Sequence, residues 1–166
     1  MHLMYLLAIT AAQRSIDISN SYFVPDEMTR HALTDALQRG VRVRILTPGS
    51  HIDAETVRES SRGLWGELLR LGAQMYEYQP TMFHCKVMVV DGLMVSVGST
   101  NFDDRSFRMN DESNLNIYDA AFAKEQTVVF EDDLRHARQV TYAAWQARPW
   151  TEKLREKAAS LLAPAL

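Results

Sequence analysis

The chain is poor in what would tie it to several protein classes. It has a single cysteine, Cys85, in 166 residues, so no intrachain disulfide can form, and a cytosolic or a periplasmic setting is compatible with that. No stretch of about 18 apolar residues occurs, so no segment reads as membrane-spanning. Neither sign of charge dominates: 18 Lys and Arg oppose 21 Asp and Glu, a net charge of −3. A dedicated nucleic-acid binder is usually basic, so this balance argues against one while leaving room for a local basic site. Seven glycines and five prolines are too few for a collagen-like or low-complexity chain. No repeat and no Gly/Ser linker is visible. The apolar opening, residues 1–12, lacks a basic leader region. It reads as a helix of the domain rather than a signal peptide.

What is present is an ordinary globular composition, 46% apolar and 23% charged, long enough for a full core without metal or disulfides. It predicts one domain over residues 1–148 and a helical tail over 149–166. The chain alternates between two hydrophobic periods. Helices are expected over residues 3–13, from Asp26 as N-cap to Gly40, and over 54–71, where Gly63 and Gly66 weaken the pattern and leave helix and loop both open for part of the stretch. Strands are expected over 15–23, 41–47, 73–79, 84–90, 93–100 and 112–118. Beyond Asp119 the pattern reads as helical through Trp145. Pro149 interrupts it, and Thr151 is placed to cap a last helix ending near Leu162. Strand and helix alternate early and strands cluster later. The expected fold is α/β, a mixed β-sheet sandwiched between helices; helices on one face only is the weaker alternative.

The informative segment is HCKVMVVDGLMVSVGSTN, residues 84–101. Asp91-Gly92 between two apolar runs is a strong signal for a two-residue hairpin turn. That turn pairs Val90 with Leu93 and so sets His84 opposite Ser99 and Lys86 opposite Val97. Alternation then puts His84, Lys86, Ser99 and Asn101 on one face and turns Cys85, Val87 and Val89 into the core. An imidazole, an ammonium, a hydroxyl and an amide at one sheet end suit a tetrahedral phosphate, whose oxygens need donors and positive charge. No carboxylate–histidine cluster for a metal is evident. On the following strand Glu112, Asn114 and Asn116 share a polar face of the kind that lines a site.

These residues resemble the phospholipase D superfamily. His-x-Lys, four residues, Asp, six residues and Gly-Ser-x-Asn is its HKD motif, matched here by His84, Lys86, Asp91, Gly98, Ser99 and Asn101. The flanking NSYFVPDE, YEYQPTMFHCK, GSTNFDDRSFRMNDESN and WQARPW runs resemble the C-terminal catalytic half of bacterial cardiolipin synthases, over essentially the whole chain. The resemblance implies a phospholipase D-like αβα fold with one HKD domain, and a metal-independent phosphatidyltransferase with no cofactor that works through a phosphohistidine. In that chemistry the His of one motif attacks phosphorus and the His of the other protonates the leaving alcohol. His84, Lys86 and Asp91 correspond to the catalytic motif positions. Lys86, Ser99, Asn101, Glu112 and Asn114 are the expected phosphate or substrate contacts, with Glu112 orienting the catalytic His. Asp91 falls in the hairpin turn, about four strand residues from the phosphate, and is expected to be structural. Arg105 and Asn110 are weaker candidates.

The superfamily site needs two His-x-Lys motifs. Two places after His2, His31, His51 and His136 stand Met4, Leu33, Asp53 and Arg138, so the chain holds half a site. Either a second HKD domain belongs to the same longer protein, or an identical chain supplies it. The resemblance favours the first. The implied partners are a phospholipid such as phosphatidylglycerol, that second HKD domain and a peripheral membrane contact. The implied setting is the bacterial cytoplasm or the periphery of the inner membrane. The alternative is a homodimeric phospholipase D-like phosphodiesterase or nuclease, against which the acidic balance and the lack of a flanking basic run both count.

Overall fold

A computed structural model describes residues 1–160. The expected end of the last helix near Leu162 lies outside the described residues. The elements are α1 (His2–Ala11), β1 (Ser15–Asn20), α2 (Glu27–Gln38), β2 (Arg42–Pro48), α3 (Glu55–Arg70), β3 (Gln74–Tyr78), β4 (Lys86–Val90), β5 (Met94–Gly98), α4 (Asp104–Arg108), β6 (Asn114–Tyr118), α5 (Ala120–Arg135), β7 (Ala137–Val140), α6 (Tyr142–Gln146) and α7 (Trp150–Ser160). The seven strands form one sheet in the order β6-β5-β4-β1-β2-β3-β7. β1, β2 and β3 run parallel, and the other pairings are antiparallel. The sheet is mixed and has helices on both faces, as expected.

Side-chain parity sorts the layers. Ile16 and Ile18 of β1, Val43 and Ile45 of β2, and Met88 and Val90 of β4 meet Tyr5 and Ile9 of α1, Leu33 of α2 and Trp65 and Leu68 of α3 in one large core. The opposite face meets α5: Val89 and Val95 pack on Ala123, and Leu46 on Phe130. A buried ion pair fastens α5 to the sheet, because Arg44 grips Asp17 with two bonds of 2.7 and 2.8 Å and donates to Glu131 at 2.6 Å. Gly63 and Gly66 do not break α3. They are where α7 and Trp145 approach it: a Cβ on Gly66 would lie 2.9 Å from Trp145 Cζ3, and one on Gly63 3.0 Å from the Glu156 carbonyl oxygen.

Two expectations fail. The helix beyond Asp119 is not continuous: α5 ends at Arg135, and residues 137–140 add a strand to the edge of β3. The three-residue spacing of Leu134, Ala137 and Val140 suits a helix. The strand wins because it seats Val140 beside Met75 in the core and lets Arg138 reach the buried Glu77 at 2.6 Å. The hairpin register is also one residue off. Asp91 and Gly92 do take positive φ, +57° and +63°, as the turn signal requires. Leu93 then stands outside the ladder, and Val90 pairs with Met94, Met88 with Ser96 and Val87 with Val97. His84 is therefore not opposite Ser99. The observed register seats Met94 in the main core and gives the buried hydroxyl of Ser96 a donor, Asn114 Nδ2, at 3.0 Å.

Asp91 explains the shape of the turn. Its carboxylate accepts from the backbone N–H groups of Gln13 (2.9 Å), Arg14 (2.7 Å) and Ser15 (2.9 Å), so it clamps the start of β1 to the end of β4. Burial pushes its pKa up, but these bonds and the Arg14 charge outweigh it and hold the carboxyl below its ordinary value. A depressed carboxyl stabilises the fold above its unfolded-state pKa, and that stability is lost as pH falls through the folded value. Asp91→Asn is expected to cost about 1–2 kcal/mol near neutral pH. In urea melts the deficit should close as the pH drops below about 3.9, the ordinary Asp value. A deficit that persists unchanged in acid would mean that the charge is not what holds this turn.

Candidate functional site

The site lies where β1 ends and β4 begins, at the carboxyl ends of the parallel strands. Lys86 is the first residue of β4 and pairs with Asn20, the last of β1. Gly98, the last residue of β5, pairs with Asn114 of β6. One polar row thus crosses four strands on the face that carries α1.

Lys86 is buried at this end and supplies the cluster's cation. Its Nζ donates to Ser21 Oγ at 2.6 Å and lies 3.1 and 3.2 Å from the two ring nitrogens of His84. Ser21 Oγ in turn donates to Asn101 Oδ1 at 2.8 Å. That leaves the Asn101 NH₂ as the group able to donate to an anion. Burial pulls the Lys86 pKa down, against the attraction of Glu112, Asp103 and Asp53. His84 itself is exposed.

Beside this chain sits a second group. Glu112 accepts from the Ser99 hydroxyl, from Ser106 Oγ at 3.1 Å and from Asn110 Nδ2 at 3.2 Å. Burial raises its pKa, but these bonds and Lys86 bring it below the ordinary value. Glu112 precedes β6 rather than lying in it. Its bonds go to these three partners, so the expected hydrogen bond to His84 is absent.

The structure thus brings His84, Lys86 and Asn101 together, with Ser99 and Glu112 alongside. Ser99 lies past the end of β5, so the exact pairing of the hairpin does not decide its position. Asn114 supports the cluster from below. Its amide donates to Tyr5 Oη (2.8 Å) and Ser96 Oγ (3.0 Å) and accepts from Thr100 N and Oγ1, so it holds the loop that carries Asn101. Asp91 is not in the cluster, since the length of β4 lies between it and His84. Gly98 has a packing reason: a Cβ there would lie 2.6 Å from Asn114 Cα and would also strike the Ser113 carbonyl oxygen. Arg105 is exposed, on α4.

Sequence reasoning missed Ser21 and Asn20. Asn20 Oδ1 accepts from the N–H groups of Tyr22 and Phe102, both at 3.2 Å, and so ties the Asn101 loop to β1. An Asn in phase with Ile16 and Ile18 at the end of a buried strand was a usable signal. Ser21, outside the strand, offered none. Among the described residues no group of three or more His, Cys, Asp or Glu is placed to hold a metal ion.

Solved structures share this mixed sheet and its flanking helices. A phospholipase D family member from Salmonella typhimurium, Nuc, superposes with TM-score 0.74 at 22% identity, over 84% of this chain and 90% of its own. A phosphatidylserine synthase from Haemophilus influenzae superposes with TM-score 0.76 at 18% identity, over 99% of this chain and 44% of its own. The family model described as cardiolipin synthase, PLD-like domain, matches residues 5–134, and the chain belongs to that family. A cardiolipin synthase of Geobacillus sp. (strain WCH70) is 40% identical over 163 residues, which are 98% of this chain and 32% of that protein. The major cardiolipin synthase ClsA of Bacillus subtilis is 38% identical over 162 residues, 98% of this chain and 33% of that protein. The chain thus spans about a third of the length of these curated relatives.

Proposed function

We propose that the chain supplies one of two HKD half-sites of a phosphatidyltransferase of the cardiolipin synthase type. The observation that carries this reading is the hydrogen-bonded run from the His84 ring through Lys86 and Ser21 to Asn101. It joins an imidazole able to act as nucleophile, a fixed cation and an amide donor in one run. Lys86 and Asn101 hold the non-bridging oxygens of the phosphodiester, with Ser99 assisting. One histidine of the completed site attacks phosphorus and forms the P–N bond. The P–O bond to the leaving alcohol breaks, and the second histidine delivers the proton to that oxygen. An incoming alcohol then gives its proton to the second histidine and displaces the first from phosphorus. Between two phosphatidylglycerols the products are cardiolipin and glycerol.

The second HKD domain belongs either to a longer protein or to an identical chain, and the relatives' threefold length favours the former. No helix among the described residues is long and apolar enough to cross a membrane, so this part reaches its lipid by peripheral contact. The test is incubation of the chain, paired with a second half-site, with labelled phosphatidylglycerol vesicles and separately with plasmid DNA. Lipid transfer without DNA cleavage is the expected result. Cleavage of DNA without transfer would favour the homodimeric phosphodiesterase. The stabilising charge in this scheme comes from lysine and neutral donors rather than from a carboxylate-held Mg²⁺ or Ca²⁺. Transfer is therefore expected to proceed at an unchanged rate in excess EDTA. A rate that collapses with chelator and returns with a divalent ion would overturn the scheme.

A further inference from the structure

Beside His84 lies a pair that the scheme above leaves idle. Tyr22, in the loop after β1, donates its hydroxyl to Asp53 Oδ1 at 2.6 Å. Its ring stands edge-on to the His84 imidazole, 6.1 Å between centroids and 86° between planes. Asp53 belongs to the loop between β2 and α3. The pair therefore joins the loops that leave the carboxyl ends of two adjacent parallel strands. β1 is also where the sheet changes direction, with parallel β2 on one side and antiparallel β4 on the other. Open α/β sheets take their ligands in the crevice outside such strand ends.

The bond is solvent-exposed, and an exposed tyrosine–carboxylate bond adds little to stability. Its chemistry is more telling. A carboxylate close to a phosphate repels it, so Asp53 is not a phosphate ligand. A carboxylate is an acceptor with up to four lone-pair sites, and Tyr22 uses one. The Tyr22 oxygen, its proton committed to Asp53, is a second acceptor beside it. Burial and Asp53 push the Tyr22 pKa up to about 12, so the phenol stays protonated at ordinary pH. Two acceptors side by side, one ring away from His84, match adjacent hydroxyl groups. An ammonium would find only one exposed carboxylate, a pairing worth little in water.

We propose that Tyr22 and Asp53 form a subsite for the hydroxyl groups of a polyol headgroup, next to the phosphate held by Lys86 and Asn101. This rests on the proposed phosphate site and adds to it a basis for choosing the alcohol. Asp53 accepts from the headgroup hydroxyls, and Tyr22 fixes the carboxylate and widens the acceptor surface.

Soluble probes separate the two claims. Glycerophosphoglycerol and dimethyl phosphate carry the same phosphodiester charge, but only the first has hydroxyls. Methyl 2-aminoethyl phosphate carries an ammonium and no hydroxyl. Affinities for all three are measured by calorimetry on the chain and on its Asp53→Asn and Tyr22→Phe variants, two independent surface changes. The chain is expected to prefer glycerophosphoglycerol to dimethyl phosphate. Each variant should weaken glycerophosphoglycerol by on the order of tenfold, the loss of one charge-assisted bond. Persistence of the preference in both variants, or its absence in the unmodified chain, overturns the subsite. A larger loss for methyl 2-aminoethyl phosphate overturns the polyol assignment in favour of a cation subsite. Should neither glycerophosphoglycerol nor dimethyl phosphate bind the unmodified chain, the phosphate site itself fails, and the subsite with it.

Discussion

His84→Ala is expected to abolish transfer by the completed enzyme, with a loss on the order of 10⁴-fold or more, as for other groups that act as nucleophile or proton donor. In either role the imidazole is the atom source that the step cannot replace: without it there is no P–N bond, or no proton for the leaving oxygen. The structure also says what the substitution spares. His84 is exposed, and its bonds run to Lys86 alone. The Lys86–Ser21–Asn101 run does not depend on the ring. Lipid-analogue binding should therefore survive the loss of turnover, and the thermal midpoint should move little. Lys86→Met is expected to behave differently, because it strips the cation from the phosphate position and leaves the Ser21 hydroxyl without its donor. Binding should fall together with rate. Measured together, rate and phosphodiester affinity separate the two roles. A His84→Ala chain that retained a tenth of the original rate would remove His84 from the chemistry.

How much of this was legible in the sequence follows from the range of each interaction. His84 and Lys86 are two residues apart at the head of an apolar strand, so alternation alone puts them on one face. The sandwich of helices about a mixed sheet was legible too, because strands and helices alternate early and β4 is apolar enough to be buried on both faces. That same property hid the hairpin register. Where both faces of a strand are buried, a one-residue slip only exchanges one buried face for the other, so the pattern does not specify pairing. The deciding contacts were Ser96 with Asn114 and Met94 with the main core, which pair β5 with later or distant chain. Glu112 was found by its polarity, but its partners were misjudged, since Ser106 and Asn110 reach it through the α4 turn. Ser21, Tyr22 and Asp53 come to His84 because β1 lies between β2 and β4. Nothing within a few residues of any of them carries that information. Residues 137–140 were misread for the opposite reason: a three-residue apolar spacing serves a helix and a four-residue edge strand alike.

The isolated chain is expected to be inactive as a monomer. Displacement at phosphorus is in line: the entering and leaving groups occupy opposite sides. The group that attacks and the group that protonates the departing oxygen must therefore stand on opposite sides of one phosphate. His84 has one ring, and the structure ties it against Lys86. None of the other four histidines is followed two places on by a lysine, and Glu112 is committed to Ser99, Ser106 and Asn110. Activity thus requires a second His-x-Lys element facing this one. If an identical chain supplies it, the interface is isologous and a single phosphate lies near the twofold axis between two copies of His84, Lys86 and Asn101. Turnover per chain then falls on dilution, in step with the dimer fraction seen by sedimentation. If a further domain supplies it, the chain alone stays inactive at every concentration and gains activity only when that domain is joined or added. Both outcomes keep the two-histidine scheme. Robust turnover by a species that sediments strictly as a monomer would end it, because one imidazole would then be serving both sides of phosphorus.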